Sequence, residues 1–338
     1  MLNTKLRLSE KIFKKDVEKK SLRDGFGEGL VELGEKDERV IVLTADLKDS
    51  TRVSQFAEKF PNRFIEVGVS EQVLVTVASG MANYGKIPFI TSFAIFSPGR
   101  NWEQIRTTVC LNNVPVKIAG SHSGLSAGLD GGNHQSLEDI ALMRSLPNMV
   151  VIAPCDAIET RRAVIEAAKN GKPTYIRFER DATPVMTTNE TPFKIGKTEV
   201  FWEANPPAGE PQATIIACGP LVYEALLAAR ELKRSDLVTT VVNCHTIKPI
   251  DEQAVIHAAK ITGAVVTVEN HQVAGGLGSA VSEVLSKNFP VPIEYVGMHD
   301  SFGESGKPKE LLKKYKMTAE DISSSVKKVI KRKKELSG

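Results

Sequence analysis

The stretch Phe64-Ile65-Glu66-Val67-Gly68-Val69-Ser70-Glu71-Gln72 passes directly from a short β-prone run into an apolar helical pattern. The β-prone run ends at Gly68 and the helical pattern begins after Ser70. Ser70 is therefore a candidate N-cap, and Glu71 lies in the first helical turn. On this local pattern alone, Glu71 only complements the helix dipole, as carboxylates at helix starts often do. A further role for Glu71 has to come from the rest of the chain.

The same alternation of strand and helix patterns continues on both sides of this stretch. Apolar runs lie at 40–44, 64–67, 87–92, 115–120, 150–153 and 174–178, and helical patterns lie at 21–35, 70–83, 102–111, 137–145 and 157–169. Continuous apolar strands that alternate with helices indicate a parallel sheet covered on both faces. In the helix at 70–83 we expect Val73, Val77 and Met81 to face the core.

A proline-rich region at 182–212, with a possible hairpin at 200–202, interrupts this rhythm. Strand patterns then return at 214–217, 238–242, 264–268 and 293–296, again separated by helical patterns. The sequence therefore predicts an α/β protein of two doubly wound domains. We expect a leader at 1–20, a first domain at 21–181, a linker at 182–212 and a second domain at 213–338.

Composition narrows the class of protein. The 338 residues carry a net charge of +3, with 41% hydrophobic and 25% charged residues, which is ordinary for a globular protein. The Lys-rich ends lack interleaved aromatic residues, which argues against nucleic-acid binding. No apolar run reaches the length of a membrane span, and the first twenty residues lack the apolar core of a secretory signal. The four cysteines form no C-x-x-C pair, so we expect buried free thiols and a cytoplasmic protein.

Polar and aromatic residues follow the strands of the first domain, where open α/β sheets bind ligands. They are Asp46, Ser50, Glu71, Phe93, Phe96, His122, Asp130, His134 and Arg180. The Gly/Ser-rich loop 121–135 contains two of the chain's six histidines. Its glycines could only make turns, or they could let the backbone approach a ligand closely. The histidine spacing matches no usual zinc pattern, so we expect no metal site here.

Two further motifs have no assignable chemistry in the second domain. Gly275-Gly276-Leu277-Gly278 opens a helix after a strand, but its spacing is wrong for a dinucleotide fingerprint, and close helix–strand packing is the better interpretation. The stretch 300–306 has the composition of a structured turn. The role of His271 stays open.

Several motifs together make the chain resemble the C-terminal half of transketolase. They are Leu43-Thr-Ala-Asp-Leu47, Gly68-Val-Ser-Glu-Gln72, Thr91-Ser-Phe-Ala-Ile-Phe96, Ser121-His-Ser-Gly124, Leu129-Asp-Gly-Gly-Asn-His-Gln135, Ser145-Leu-Pro147, and Glu269-Asn-His271 with Gly275-Gly-Leu-Gly278. They occur in the family's order over about residues 20–335. The resemblance implies a thiamine-diphosphate-binding (pyrimidine) fold followed by a transketolase C-terminal domain.

The resemblance also implies a role for each candidate residue. Glu71 would hydrogen-bond N1′ of the aminopyrimidine of thiamine diphosphate and so promote proton removal from the thiazolium carbon. A carboxyl group with that task must be withdrawn from water. Phe93 and Phe96 would stack on the pyrimidine, and Asp46 would face the cofactor. The residues matching the family's contacts to the phosphate end of the substrate are Arg23, Ser50, His122 and Arg180. Those matching its contacts to the sugar hydroxyls are Asp130 and His134.

One part of the family pattern is missing and another differs. The chain contains no Gly-Asp-Gly, the family's motif for the divalent metal at the diphosphate. The resemblance therefore implies one subunit of a split transketolase, with Mg²⁺ and diphosphate held by a separate N-terminal subunit, two copies of each subunit, and sugar phosphates as substrates. Many members also have an aromatic residue shortly after the position of Phe96, where this chain has Ser97-Pro-Gly-Arg100.

Alternative functions remain at this stage. The beta subunit of a 2-oxo-acid dehydrogenase first component shares the two-domain plan, although oxo acids carry no phosphate for His122 and Arg180 to bind. Deoxyxylulose-phosphate synthase is a second alternative, but it is normally a single longer chain. A non-catalytic subunit derived from the family is a third alternative, against which the retained Glu71 argues.

Overall fold

Two open sheets, a two-stranded sheet and the covering helices make up this computed structural model, which describes residues 1–204 and 210–337. In the first half, short 3-10 segments lie at Thr4–Leu6, Pro61–Arg63 and Gly124–Asp130, and a π-helix at Ile105–Cys110. The other elements of the first half are β1 (Lys19–Ser21), α1 (Leu22–Lys36), β2 (Val40–Thr44), α2 (Ser54–Lys59), β3 (Phe64–Glu66), α3 (Glu71–Asn83), β4 (Ile87–Phe93), α4 (Trp102–Gln104), β5 (Lys117–Ser121), α5 (Asp139–Arg144), β6 (Val150–Ile152), α6 (Ala157–Lys169), β7 (Thr174–Arg177) and β8 (Ala182–Pro184).

The second half repeats the alternation with longer helices. Its elements are β9 (Glu199–Trp202), β10 (Ala213–Ala217), α7 (Leu221–Arg234), β11 (Thr239–Asn243), β12 (Thr246–Lys248), α8 (Glu252–Thr262), β13 (Val265–Gln272), α9 (Leu277–Asn288), β14 (Ile293–Met298), α10 (Pro308–Lys314) and α11 (Ala319–Ser337). None of the described helices has the length and apolar character that a membrane crossing needs.

The larger sheet has the strand order β12-β6-β7-β5-β4-β2-β3. All of its neighbours are parallel except β12, which pairs antiparallel with β6 at the edge. Since β12 comes from the second half of the chain, the two halves share this sheet. The parallel strands bring the residues after β2, β4, β5 and β7 to one edge, as the sequence pattern predicts.

The smaller sheet has the order β14-β13-β10-β11-β9. Its neighbours are parallel except β9, which pairs antiparallel with β11. The hairpin expected at 200–202 is therefore wrong, because this segment finds its partner in β11 rather than in an adjacent strand. Within the linker, β8 pairs with β1, and residues 205–209, which include Pro206 and Pro207, lie outside the described part.

Helix α3 buries a different face from the one that its apolar spacing predicts. Its buried residues are Glu71, Leu74, Val75, Ala78, Ser79 and Ala82, whereas Val73 is 45% and Val77 is 36% exposed. The buried side chains follow Glu71 at helical spacing, so they lie on the same face of the helix as this carboxylate. Turning Glu71 inward therefore turns the valines outward. Ser70 stands at the N-cap position, but its side chain makes no capping hydrogen bond.

The two domains are joined by a continuous apolar core. One cluster of buried side chains contains Ile41 and Met143 of the first domain together with Cys218 and Leu277 of the second. The leader packs on the second domain, since Ile12 is fully buried in its core. All four cysteines lie buried as free thiols. Because buried apolar side chains of both domains form one cluster, the second domain is a fixed neighbour of the first.

Candidate active site

Glu71 begins α3 directly after the β3 turn, and only 4% of its side chain is exposed. The withdrawal from water that its expected role requires is therefore present. Nη1 of Arg100 lies 3.4 Å from Oε2 of Glu71. The amide of Asn101 donates to the backbone oxygen of Glu71 at 3.0 Å and to Oγ of Ser97 at 3.1 Å. The turn 97–101 thus wraps the start of the helix.

Aromatic rings gather beside this carboxylate, at the end of β4 and in the loop after β5. The rings of Phe93 and Phe96 are nearly parallel, with centroids 6.1 Å apart and an interplanar angle of 14°. Phe93 stacks on His122 at 3.8 Å, and His134 meets Phe96 edge-on at 5.4 Å. The guanidinium of Arg100 lies over Phe96, 4.3 Å from the ring centroid. Arg100 thus contacts both the buried carboxylate and a flat apolar ring.

His122 is neutral at physiological pH. Burial lowers its pKa to about 3, and the neighbouring cations Arg23 and Arg180 act in the same direction. Nδ1 of His122 lies 2.8 Å from Oγ of Ser121. Its backbone has a φ of 57°, a left-handed conformation that is costly for a residue with a Cβ and often found at functional sites. His122 can therefore exchange hydrogen bonds with hydroxyl groups without adding charge.

Cationic side chains extend from the rings along the same edge of the sheet. The guanidinium of Arg23 donates to the backbone oxygens of Ser50 at 2.9 Å and Arg180 at 3.0 Å. Nη1 of Arg180 donates to the backbone oxygen of Ala127 at 3.2 Å and lies 3.3 Å from Oδ2 of Asp130. The contacts thus link three of the four predicted phosphate-end residues, Arg23, Ser50 and Arg180, and join them to Asp130, a predicted sugar-hydroxyl contact.

Asp46 lies apart from the rings, after β2. It is exposed, with a left-handed φ of 58°, and its N–H donates to Oε1 of Glu66 at 2.8 Å. The two residues line an open cleft of about 420 Å³ together with Ser50 and Phe64. In the part of the chain that the structure describes, the Asp46 carboxylate accepts no hydrogen bond. A cofactor-facing role for Asp46 remains a prediction.

The structure thus brings the predicted residues into three neighbouring groups. The first group is Glu71 with the aromatic rings. The second group is the hydrogen-bonded series from Arg23 through Arg180 to Asp130, and the third is the cleft at Asp46. Sequence reasoning missed Arg100 and Asn101 as partners of Glu71, although it noted the departure from the family at 97–100. In residues 1–204 and 210–337, no cluster of three His, Cys, Asp or Glu side chains is arranged to hold a metal ion.

Comparison with known families accounts for both domains. The family "Transketolase, pyrimidine binding domain" matches residues 18–186, and "Transketolase, C-terminal domain" matches residues 203–322. A putative transketolase C-terminal section from Methanocaldococcus jannaschii is 43% identical over 316 residues, which are 93% of this chain and 97% of that protein. The chain belongs to the transketolase family.

Two further relatives are similar over nearly their whole length. A 6-deoxy-6-sulfo-D-fructose transketolase subunit from Clostridium sp. (strain MSTE9) is 40% identical, over 95% of this chain and 98% of that protein. The solved structure of a split gene transketolase, an inactive β4 tetramer, has a TM-score of 0.85 and 43% identity, over 92% of this chain and 98% of that chain. This member of the transketolase family thus groups with separate C-terminal subunits.

Transketolases depend on thiamine diphosphate, and the first group of residues fits the pyrimidine end of that cofactor. Phe93 and Phe96 provide apolar ring faces, and the buried carboxylate of Glu71 can exchange a proton or hydrogen bond with a ring nitrogen. The buried Oδ1 of Asn101, beside the start of α3, has no hydrogen-bond partner among the described residues. A flat, polar-edged heterocycle suits this set of groups.

Proposed function

We propose that this chain is the C-terminal subunit of a two-subunit, thiamine-diphosphate-dependent transketolase, which transfers a two-carbon ketol unit between ketose and aldose phosphates. A separate N-terminal subunit would hold the diphosphate and Mg²⁺. The observation that carries the proposal is the burial of Glu71 beside Phe93 and Phe96. The full-length match to separate C-terminal subunits supports the division into two chains.

Each residue of the first group has a defined task in this proposal. The bound cofactor supplies the carbon nucleophile that accepts the ketol unit. Glu71 holds the proton at N1′ of the aminopyrimidine and exchanges it during turnover, because its carboxyl group is shielded from water. Phe93 and Phe96 bind the ring face and keep water from it. His122 and His134 border the same space and orient substrate oxygens by hydrogen bonds.

The second group would bind the anionic end of the sugar. The side chain of Arg180 uses Nη1 for both of its hydrogen bonds, and among the described residues its Nε and Nη2 have no hydrogen-bond partner. A guanidinium with donors to spare suits a phosphate. Arg23 and Ser50 lie at the same end. Asp130 orients Arg180 and can accept from a sugar hydroxyl.

An exposed apolar face supports assembly with other subunits. Val69, Val73, Val77 and Tyr84 project from α3 and its two ends, and Tyr84 is 91% exposed. An exposed row of this kind commonly marks a contact surface. Since the helix begins with Glu71, a subunit covering this face would lie next to the proposed catalytic carboxylate. We propose two copies of each subunit and a cytoplasmic complex.

A second candidate substrate is a sulfonated sugar. The relative named as a 6-deoxy-6-sulfo-D-fructose transketolase subunit is 40% identical to this chain. A sulfonate carries one negative charge and three acceptor oxygens, and the same guanidinium groups can bind it. The two candidates therefore differ in the anion and share the reaction.

The test is to produce this chain together with a candidate diphosphate-binding subunit. Ketol transfer from xylulose 5-phosphate to ribose 5-phosphate is then measured with thiamine diphosphate and Mg²⁺. A parallel assay uses 6-deoxy-6-sulfofructose as donor, and another uses pyruvate. We expect transfer between the phosphorylated sugars only when both subunits are present.

Other outcomes would contradict specific parts of the proposal. Turnover by this chain alone would overturn the need for a second subunit. Transfer from the sulfonated donor only would replace the phosphate by a sulfonate. Reaction with pyruvate in place of ketol transfer would favour the 2-oxo-acid dehydrogenase alternative.

A further inference from the structure

Asn270, near the end of β13 in the second domain, makes hydrogen bonds to three residues of the first domain. Its Nδ2 donates to Oε1 of Glu179 at 2.8 Å, and its Oδ1 accepts from the N–H of Leu125 at 3.0 Å. Its backbone oxygen accepts from Nη2 of Arg177 at 2.6 Å. The side chain is buried. One amide group therefore joins two separate segments of the first domain.

Both segments carry residues of the proposed anion end. Glu179 directly precedes Arg180, and Leu125 belongs to the segment Gly124–Asp130 that ends at Asp130. A further bond, from the N–H of Arg180 to Oγ of Ser126 at 3.0 Å, holds the two segments side by side. The two segments that carry Arg180 and Asp130 are thus bound to each other and to Asn270 of the second domain. We call these two segments the frame.

The fit around Asn270 is tight enough to require glycine at a neighbouring position. Gly124 has a φ of +61°, and a Cβ there would lie 2.6 Å from Cγ and Oδ1 of Asn270. Any side chain would therefore clash with the amide and strain the backbone. Burial raises the pKa of Glu179 to about 7. A neutral amide suits this partner, because it can donate to Glu179 whether or not the carboxyl group is protonated.

The residues on either side of Asn270 anchor its strand. Glu269 accepts the N–H groups of Leu277 and Gly278 at 2.7 and 2.8 Å and so caps the start of α9. His271 accepts the N–H of Ala141 at 3.4 Å. These contacts give Glu269 and His271 structural roles, and they fix the backbone that presents Asn270 to the first domain.

The stretch 300–306 of the second domain braces the other end of the same loop. Oγ of Ser305 donates to the backbone oxygen of Leu129 at 2.8 Å. Nε2 of Gln135 donates to the backbone oxygen of Glu304 at 2.9 Å. The second domain therefore holds this loop at Leu125, Leu129 and Gln135, on both sides of Asp130.

We propose that Asn270 is a positioning residue for substrate binding, through which the second domain sets the geometry of Arg180 and Asp130 at the anionic end of the sugar. The proposal deepens the proposed function and rests on it for the identity of the substrate. Asn270 acts through the two segments that it joins. Small displacements of such a frame reduce binding of a correctly oriented substrate.

The first arm of the test measures steady-state kinetics of the two-subunit enzyme. Asn270→Ala should raise KM for ribose 5-phosphate about tenfold while kcat changes less than about threefold. KM for glycolaldehyde, an acceptor without phosphate, should change less than about twofold, because it makes no contact with the anion end. Glu179→Gln keeps an acceptor for the Asn270 amide and should keep KM near that of the wild type.

The chain offers a matched control in Asn243→Ala. Asn243 is also a buried asparagine of the second domain, and its Nδ2 donates at 2.8 Å to Oε1 of a buried glutamate of the first domain, Glu159. Among the described residues, its side chain makes no hydrogen bond to the 124–135 loop. A purely structural role for Asn270 predicts the same kinetic change in both variants, whereas positioning predicts a change in KM for Asn270→Ala alone.

The second arm measures hydrogen–deuterium exchange on this chain without its partner. Amides of 124–135 should exchange about tenfold faster in Asn270→Ala than in Asn243→Ala, because Leu125 loses its acceptor. Equal exchange in the two variants would overturn the proposal, whether or not ketol transfer is found. Absence of transfer by the wild type with normal exchange behaviour would instead reject the proposed function.

A variant with an exposed side chain covers the case in which Asn270→Ala does not fold. Ser305→Ala removes only the hydroxyl that donates to Leu129. It should raise KM for ribose 5-phosphate by about threefold and speed exchange at 128–131. Unchanged KM and exchange in Ser305→Ala would contradict positioning of the loop by the second domain.

Discussion

The guanidinium of Arg100 contacts Glu71 and Phe96 at the same time, 3.4 Å from the carboxylate and 4.3 Å from the ring centroid. In the proposed site, Glu71 binds the edge of the aminopyrimidine and Phe96 stacks on its face. A guanidinium is flat and offers N–H donors along its edge, so it resembles the amino-substituted edge of that ring. We therefore expect Arg100 to compete with the aminopyrimidine for Glu71 and Phe96.

We therefore predict that Arg100→Ala tightens cofactor binding. The Arg100 side chain is 54% exposed, so solvent screens its ion pair and limits the contact to about 1 kcal/mol, with a cation–π contribution of similar size. Removing these contacts should lower the Kd for thiamine diphosphate roughly fivefold to thirtyfold. Calorimetric titration of the assembled complex measures it.

Arg106→Ala is the control for this prediction, because Arg106 is exposed on the neighbouring π-helix. It should leave the Kd unchanged. Weaker binding in Arg100→Ala would show that Arg100 holds the cofactor instead of competing with it.

Glu71→Gln should separate cofactor binding from turnover. The amide keeps the size and hydrogen-bonding capacity of the side chain but cannot exchange a proton at neutral pH. We expect kcat for ketol transfer to fall on the order of 100-fold or more. The Kd for thiamine diphosphate should change less than about threefold. Glu103→Gln, an exposed position on α4, is the control; retained activity in Glu71→Gln would remove Glu71 from the proton exchange.

The order of helices and strands could be predicted from the sequence because most strands are buried on both sides and read as unbroken apolar runs. The orientation of α3 could not be predicted, because the contacts of the buried Glu71 with Arg100 and Asn101 span 29 and 30 positions of sequence. The position of β12 at the edge of the larger sheet could not be predicted either. Strand β12 has only three residues, which is too short to show a hydrophobic periodicity. Its partner, β6, lies far away in the sequence.

The candidate site was predictable to the extent that its residues follow strands of one parallel sheet. Glu71, Phe93 and His122 meet for that reason. Arg100 was missed because its approach to Glu71 depends on the geometry of the turn 97–101. Asn270 was missed because its contact with Leu125 spans 145 positions of sequence. Family resemblance, rather than local pattern, supplied the cofactor.

Val77→Glu should disrupt self-association. Val77 lies on the exposed face of α3, so a charge there does not disturb the core, but it would be buried in any contact that covers this face. We expect the wild-type chain alone to form oligomers and the variant to form smaller species in sedimentation velocity. Ile261→Glu, at an exposed apolar position of α8, is the control. An unchanged sedimentation profile for Val77→Glu would exclude this face as the contact between copies.

His245 makes a separate prediction about stability at low pH. It is buried and stacks on Phe193 with centroids 4.3 Å apart, and its Nδ1 lies 2.9 Å from Oγ1 of Thr246. Burial lowers its pKa to about 3, and Arg162 acts in the same direction. The folded protein therefore keeps this imidazole neutral at pH values where the unfolded chain protonates it.

Between its unfolded pKa near 6.5 and its folded pKa of about 3, the His245 imidazole binds a proton only in the unfolded chain, so it costs stability as pH falls. His245→Gln lacks this proton site. It should be less stable than the wild type at pH 7.5, and the difference in free energy of unfolding should shrink by about 2 kcal/mol at pH 5.0. Urea unfolding followed by circular dichroism at both pH values measures this change. Val222→Ala, a buried substitution without a titratable group, should cost the same at both. A His245→Gln difference that does not vary with pH would contradict the assignment of a neutral buried imidazole.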